Sequence, residues 1–134
     1  MSAADNIKAI QLVYEAFGRG DVGVILESVT DDVDWATDTA STSAPWYGPH
    51  HGKAGVSDFF QAFGSTMTVQ QFEPTSFTSN DTDVHTVVKL QATRTANNKS
   101  AEMNLHHFFQ FRDGKIAYYR GTEDTSQTDA IFAD

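Results

Sequence analysis

Apolar side chains near the start of the chain fall at Ile7, Ile10, Tyr14 and Phe17, spacings of three, four and three that gather one stripe on a helix. Ser2 and Asp5 precede that stripe as an S-x-x-D variant of the capping box. In "GRGD", Gly18 and Gly20 stop the helix, and Asp21 is placed to cap a second, shorter one with Val22, Ile25, Leu26 and Val29 on one face. The period then changes. "TDDVDWATD" alternates Val33, Trp35 and Thr37 against Asp34, Ala36 and Asp38, the pattern of a half-buried strand. Residues 39–51, "TASTSAPWYGPHH", hold Pro45, Gly48 and Pro49 and predict a loop whose aromatics fold over something. A third helix is expected from near Gly52, with Val56, Phe59, Phe60 and Phe63 on one stripe and Gly64 as its end.

The remainder predicts strands: "MTVQQFEPTSFTS", "VHTVVKLQATRT", "SAEMNLHHFFQFR" and "KIAYYRGTED", joined by "NDTD", "NN" and "DG". Such joins adopt positive φ or side-chain-bonded turns at low cost. Helices followed by a meander of long antiparallel strands imply an α+β fold with the helices on one face of the sheet. At 134 residues the chain fits one domain, 1–134. Its 40% apolar content and ten phenylalanines are enough for a packed core and for a lined cavity.

Charge and composition then narrow the chemistry. A formal net charge of -9 repels a phosphate backbone or an anionic membrane, so neither nucleic acid nor membrane is expected as a partner. With no cysteine, thiol nucleophiles, disulfides and iron–sulfur clusters are excluded. The N-terminus has no signal-peptide core and no apolar run reaches membrane-spanning length, so the expected location is cytoplasmic. No glycine-rich phosphate loop or G-x-S-x-G elbow occurs, and none of the histidine spacings is that of a metal site.

The doublet at 106 and 107 decides more. Neighbours on a strand point to opposite faces, so His106 and His107 are not placed to hold one ion together. Met103, Leu105, His107, Phe109 and Phe111 share one greasy face, taken as the concave one, while Asn104, His106, Phe108, Gln110 and Arg112 share the other. His107 is then a polar group in an apolar wall, where burial favours the neutral imidazole. It either works on a ligand or bonds to a neighbouring tyrosine or carbonyl as a core residue. In the loop "PWYGPHHG", Trp46, Tyr47, His50 and His51 suit a lid over a small organic ligand, and Trp46 would equally suit a dimer contact.

The stretches "IQLVYEAFGRGDVGVILESVTDDVDW", "HHGKAGVSDFFQAF" and "HHFFQFRDGKIAYYRGTEDTSQ" together resemble the SnoaL-like, or ketosteroid-isomerase-like, branch of the nuclear-transport-factor-2-like superfamily. That resemblance implies a cone, with N-terminal helices packed in a strongly curved, mostly antiparallel sheet around an apolar pocket, usually in a homodimer. It implies no single reaction, since the fold carries isomerases, polyketide cyclases, epoxide hydrolases, dehydratases and plain binding modules. By the same resemblance His107 takes the strand position of an oxyanion-stabilising donor, and Tyr14 lies one place from a catalytic phenol.

The general-base position falls on Thr37, with Asp38 one residue late; a strand-end bulge would turn Asp38 inward. Otherwise Asp38 is a solvated carboxylate at a strand end. Related chains carry an acid near "EDT", here Glu123 or Asp124, and which of them faces inward depends on twist and bulges. Asp124 could instead cap the tail "TSQTDAIFAD" or pair with Arg120. The expected function is cofactor-free acid/base chemistry on a small apolar organic molecule: isomerisation, cyclisation or hydration. The alternative is a non-catalytic ligand-binding or dimerisation module. Trp35, Trp46, His51, Phe60, Phe109 and Tyr119 are the expected ligand contacts, and Asp38, His107, Tyr14, Glu123 and Asp124 the candidate catalytic groups. Epoxide hydrolysis would need an arginine between two acids inside the cone, for which Arg94 and Arg120 are available. A second copy is expected on the outer sheet face over Phe108 and Tyr118.

Overall fold

The computed structural model describes residues 2–133. Its first helix, α1 (Ala3–Arg19), begins with a complete capping box: Ser2 Oγ accepts from the Asp5 N–H at 3.1 Å, and the Ser2 N–H donates to the Asp5 carboxylate. It ends at Gly20, whose φ of 71° is the left-handed conformation that glycine adopts without steric cost. The Asp21 carboxylate then accepts from the Val24 N–H at 3.2 Å and starts α2 (Val22–Glu27). Of the predicted stripe of α1, Ile10 and Tyr14 are buried and Ile7 and Phe17 half-buried, and Val13 adds to the buried face.

Six strands form one sheet: β1 (Val29–Thr37), β2 (Gly48–His51), β3 (Met67–Ser79), β4 (Asp83–Arg94), β5 (Ser100–Arg112) and β6 (Lys115–Thr122), in the order β2-β1-β6-β5-β4-β3. Only β1 and β6 run parallel, so the sheet is mixed and mostly antiparallel. The helix α3 (Gly52–Thr66) and α1 cover its inner face. This is the expected α+β cone. No helix among the described residues is long and apolar enough to cross a membrane.

Three local expectations need correction. Residues 48–51 are not loop: β2 pairs antiparallel with β1, setting His51 opposite Asp34. Pro49 concealed it, although proline is tolerated on an edge strand such as this. Gly64 does not end α3, which runs two residues further because Thr66 Oγ donates back to the Ala62 carbonyl at 2.7 Å. The last strand stops at Thr122, short of the expected "ED", and the tail, for which Asp124 takes the N-cap position, forms α4 (Thr125–Phe132), burying Thr128 and Ile131.

Candidate functional site

A cavity of about 90 Å³ lies between the inner face of the sheet and α1, α3, α4 and the 38–47 loop. Its wall combines rings, among them Phe17, Trp35, Phe60, Phe72, Phe109 and Tyr119, with aliphatic side chains such as Leu90, Met103 and Leu105. The indole of Trp35 stacks on Tyr119 at 4.1 Å between centroids, because β1 and β6 pair in parallel with Trp35 opposite Tyr119. Trp46 closes one end, buried edge-on against Phe63 and Phe132. An engineered apolar cavity of about 150 Å³ is large enough to take up benzene. The present volume therefore admits at most one small ring with slight yielding of the wall, and excludes a fused polycycle without rearrangement.

The histidine doublet divides as the strand period requires. On β5, opposite Thr86 of β4, His107 turns inward and lines the cavity, while His106 is exposed on the outer face. The Tyr14 hydroxyl lies 2.7 Å from His107 Nδ1 and 2.6 Å from Thr86 Oγ. One hydroxyl proton cannot serve both contacts. Either Thr86 donates to Tyr14 and Tyr14 to Nδ1, which leaves Nε2–H as a donor, or Nδ1–H donates to Tyr14 and Nε2 is an acceptor. Burial of the ring, followed by the neighbouring His106, pulls the His107 pKa down to about 3, so the imidazole is neutral. Burial also pushes the Tyr14 phenol well above its ordinary range.

Of the candidate acids, one reaches the cavity. Glu123, just past the end of β6, lines it and accepts on one carboxyl oxygen from Tyr47 Oη at 2.8 Å and Thr128 Oγ at 2.7 Å. Asp124 occupies the N-cap position of α4 on the exposed side, where Ser126 and Gln127 donate to its carboxylate and hold its pKa low. Asp38 stays on the outer face as well. The β1–β6 register is unbroken from Asp34 to Thr37 and the Asp38 N–H continues it to the Gly121 carbonyl at 2.7 Å, so no bulge turns the side chain inward. His51 is likewise exposed, at the junction of β2 and α3, and does not line the cavity.

Phe60, Phe109, Trp35, Trp46 and Tyr119 all line the cavity. Neither arginine does. Arg120 projects from the outer face to Asp34 at 3.0 Å, and Arg94 spans the Phe132 ring with one nitrogen on the Ile131 carbonyl. An arginine flanked by two acids is thus missing from the cavity wall among the described residues.

Trp35 and Tyr119 are among the wall residues whose donors lack protein acceptors. The Trp35 indole N–H is buried and meets none among the described residues. The Tyr119 hydroxyl makes no hydrogen bond among them either, and lies directly over Gly121. A Cβ at Gly121 would overlap that oxygen and approach His107 Cδ2 to 3.4 Å, so glycine here makes room for the phenol. Burial, then the proximity of Tyr14 and Glu123, raises the Tyr119 pKa and keeps its proton in place. Sequence reading missed Thr86, Gly121 and Thr128. Thr128 and Ile131 recur at helical spacing, a signal that was available; the other two are defined only by cross-strand pairing.

The match to known proteins agrees with this architecture. Residues 10–119 match the SnoaL-like domain family model. No curated protein matches the chain in sequence. Among solved structures, an NTF2-like protein from Burkholderia xenovorans LB400 is 22% identical, with 99% of each chain covered and a TM-score of 0.89. A candidate polyketide cyclase from Xanthomonas campestris pv. campestris is 18% identical over 99% of this chain and 100% of its own, with a TM-score of 0.79. An LEH-like epoxide hydrolase from M. tuberculosis is 12% identical over 93% of this chain and 86% of its own, with a TM-score of 0.74. At such identities the likeness establishes fold alone, and the three names show how far chemistry diverges on it. With the family match over residues 10–119, this chain belongs to the SnoaL-like domain family, and its cone is the fold of the similar NTF2-like structure.

Proposed function

We propose that the protein is a cofactor-free acid/base enzyme that moves a proton on a small apolar organic molecule, an isomerase or cyclase in type. The observation that carries this reading is Glu123: the one carboxyl group lining a largely apolar cavity among the described residues, where the Tyr119 hydroxyl is also without a hydrogen-bond partner. In this reading Glu123 takes a proton from carbon next to a carbonyl, and the electrons of that C–H bond pass onto the carbonyl oxygen as an enolate. The Tyr119 hydroxyl, with His107 Nε2–H when that tautomer is present, donates to the developing oxyanion. Return of the proton at a second carbon completes an isomerisation with no net change in atoms or electrons. The structural neighbour named as a candidate polyketide cyclase uses the same scaffold, in keeping with carbonyl chemistry.

The test is conversion of cyclohex-3-enone, a one-ring β,γ-unsaturated ketone, to the conjugated enone, followed by ultraviolet absorbance. Wild type should accelerate it and Glu123→Gln should not. A wild type no faster than buffer, or a variant as fast as wild type, removes the proposal.

A second reading rests on a specific feature. Tyr14, Thr86 and His107 satisfy one another, as they would in a binding protein with a finished interior. It requires ligand uptake without turnover. For the outer face we propose a second copy of the chain as cover, since Phe108 and Tyr118 there meet His85 and Arg120 in a continuous aromatic strip. Light scattering after size exclusion would return a dimer mass; a monomer excludes it.

A further inference from the structure

The polar groups around the cavity form an asymmetric set that specifies more about a ligand than its size. No lysine or arginine lines the wall among the described residues, and the one imidazole among them is held neutral by burial. An anionic ligand would leave water and meet no opposite charge, which a buried site strongly disfavours. Worse, it would sit beside the Glu123 carboxyl. In the wall the Tyr119 hydroxyl is a donor without an acceptor among the described residues, and the Trp35 N–H behind it is buried without one. Glu123 uses one carboxyl oxygen for both Tyr47 and Thr128, and its second oxygen is not engaged by any hydrogen bond among the described residues.

Resting on the proposed function for the choice of cavity, we infer that the ligand is an uncharged one-ring hydroxy-carbonyl compound. Its carbonyl oxygen accepts from Tyr119, its ring lies among Trp35, Phe60 and Phe109, and its hydroxyl donates to the free oxygen of Glu123. The cavity volume of about 90 Å³ limits the ring count, and the absence of cationic wall residues sets the charge. A free donor on Tyr119 and a free acceptor on Glu123 set the functional groups. A purely apolar ring would leave both groups unpaired, which costs roughly a tenfold or larger factor per buried group.

Isothermal titration of the intact protein with four probes at mildly acidic pH tests this. Para-hydroxybenzaldehyde carries both groups and no charge, para-hydroxybenzoate is its anionic counterpart, tyramine is cationic, and toluene offers the ring alone. The aldehyde should bind at least about tenfold more tightly than each of the others. Tyr119→Phe and Glu123→Gln should each weaken it about tenfold while leaving toluene unchanged. Equal or tighter binding of the benzoate, of tyramine or of toluene overturns the inference, as does failure of the aldehyde to bind. The outcome is separable from the isomerisation test: selective uptake of the aldehyde with no turnover of cyclohex-3-enone would retain the ligand class and discard the enzyme. Turnover together with benzoate preference would do the reverse.

Discussion

The two faces of β5 and β6 are one stretch of sequence under opposite physical conditions. Inward, His107, Phe109, Tyr119 and Gly121 face a ring-lined hollow, where an imidazole gives up its charge and a phenol keeps its proton. Outward, one residue away in each case, His106, Tyr118 and Arg120 meet solvent, and charge is managed by pairs such as Arg120 with Asp34. Residue type does not separate the faces, since each has a histidine and a tyrosine. Dielectric does. The same chemical group is therefore available for proton chemistry on one face and is a solvated surface group on the other.

The largest effect should come from the acids, which the two environments separate. Glu123→Gln should lower turnover by about 10²- to 10⁴-fold, the usual contribution of a positioned acid/base group. Asp124→Asn and Asp38→Asn should stay within about twofold, because both carboxylates lie outside the cavity. Steady-state rates on cyclohex-3-enone measure the contrast. A large loss on replacing Asp38 would mean that the faces exchange in solution.

Next in size is the pH dependence set by His107. Its folded pKa of about 3 lies below the ordinary value of 6.5, so between these limits the unfolded chain binds more protons than the native one. Stability therefore rises with pH through that window and is lost as pH falls from 6.5 toward 3. The loss approaches a few kcal/mol at its acid end. Urea midpoints across this range should slope accordingly in wild type and flatten in His107→Asn. A histidine proton that titrates near neutrality by nuclear magnetic resonance at this position would contradict the buried environment.

How much of this was legible in the chain follows from range of interaction. The caps at Ser2 and Asp21, the helical stripe of α1 and the split of His106 from His107 depend on residues within a few positions, and periodicity reads them directly. Glu123 against Asp124 was undecidable, because the choice depends on where β6 stops and α4 begins, and on Tyr47 and Thr128 arriving from elsewhere. Asp38 was placed inward only by supposing a bulge at the end of β1, whereas the β1–β6 register shifts earlier, between Val29 and Asp34, and is regular from there to Thr37. Residues 48–51 lack alternation, and their strand exists because β1 offers an edge. The Tyr14–Thr86–His107 cluster joins three elements far apart in sequence, beyond any local pattern.

Gly121 sharpens the contrast at intermediate size. Gly121→Ala places a methyl group into the Tyr119 hydroxyl, and overpacking of this kind costs about 1–3 kcal/mol. Tyr119→Phe in the same chain removes the overlapping oxygen and should restore part of that loss. The second ring contact, with Cζ at 3.0 Å, prevents full recovery. Denaturant unfolding of the two single variants and the double variant would give the coupling. Additive losses would show that the phenol does not rest on this glycine.

The smallest effect is expected outside. In Arg120→Met the pair with Asp34 is lost, but the partners' side chains are 26% and 54% exposed, so water and salt already screen it. A cost under about 1 kcal/mol follows, shrinking as ionic strength rises. Much of the packing over Tyr118, where the guanidinium carbon stands 4.2 Å from the ring centre, can be kept by the methionine. Should this substitution instead destabilise the protein more than Gly121→Ala does, with the excess growing at higher protein concentration, the outer face would not be a solvent face at all. Arg120 would then be buried against a second copy, and the dielectric difference between the two sides of the sheet would belong to the isolated chain only.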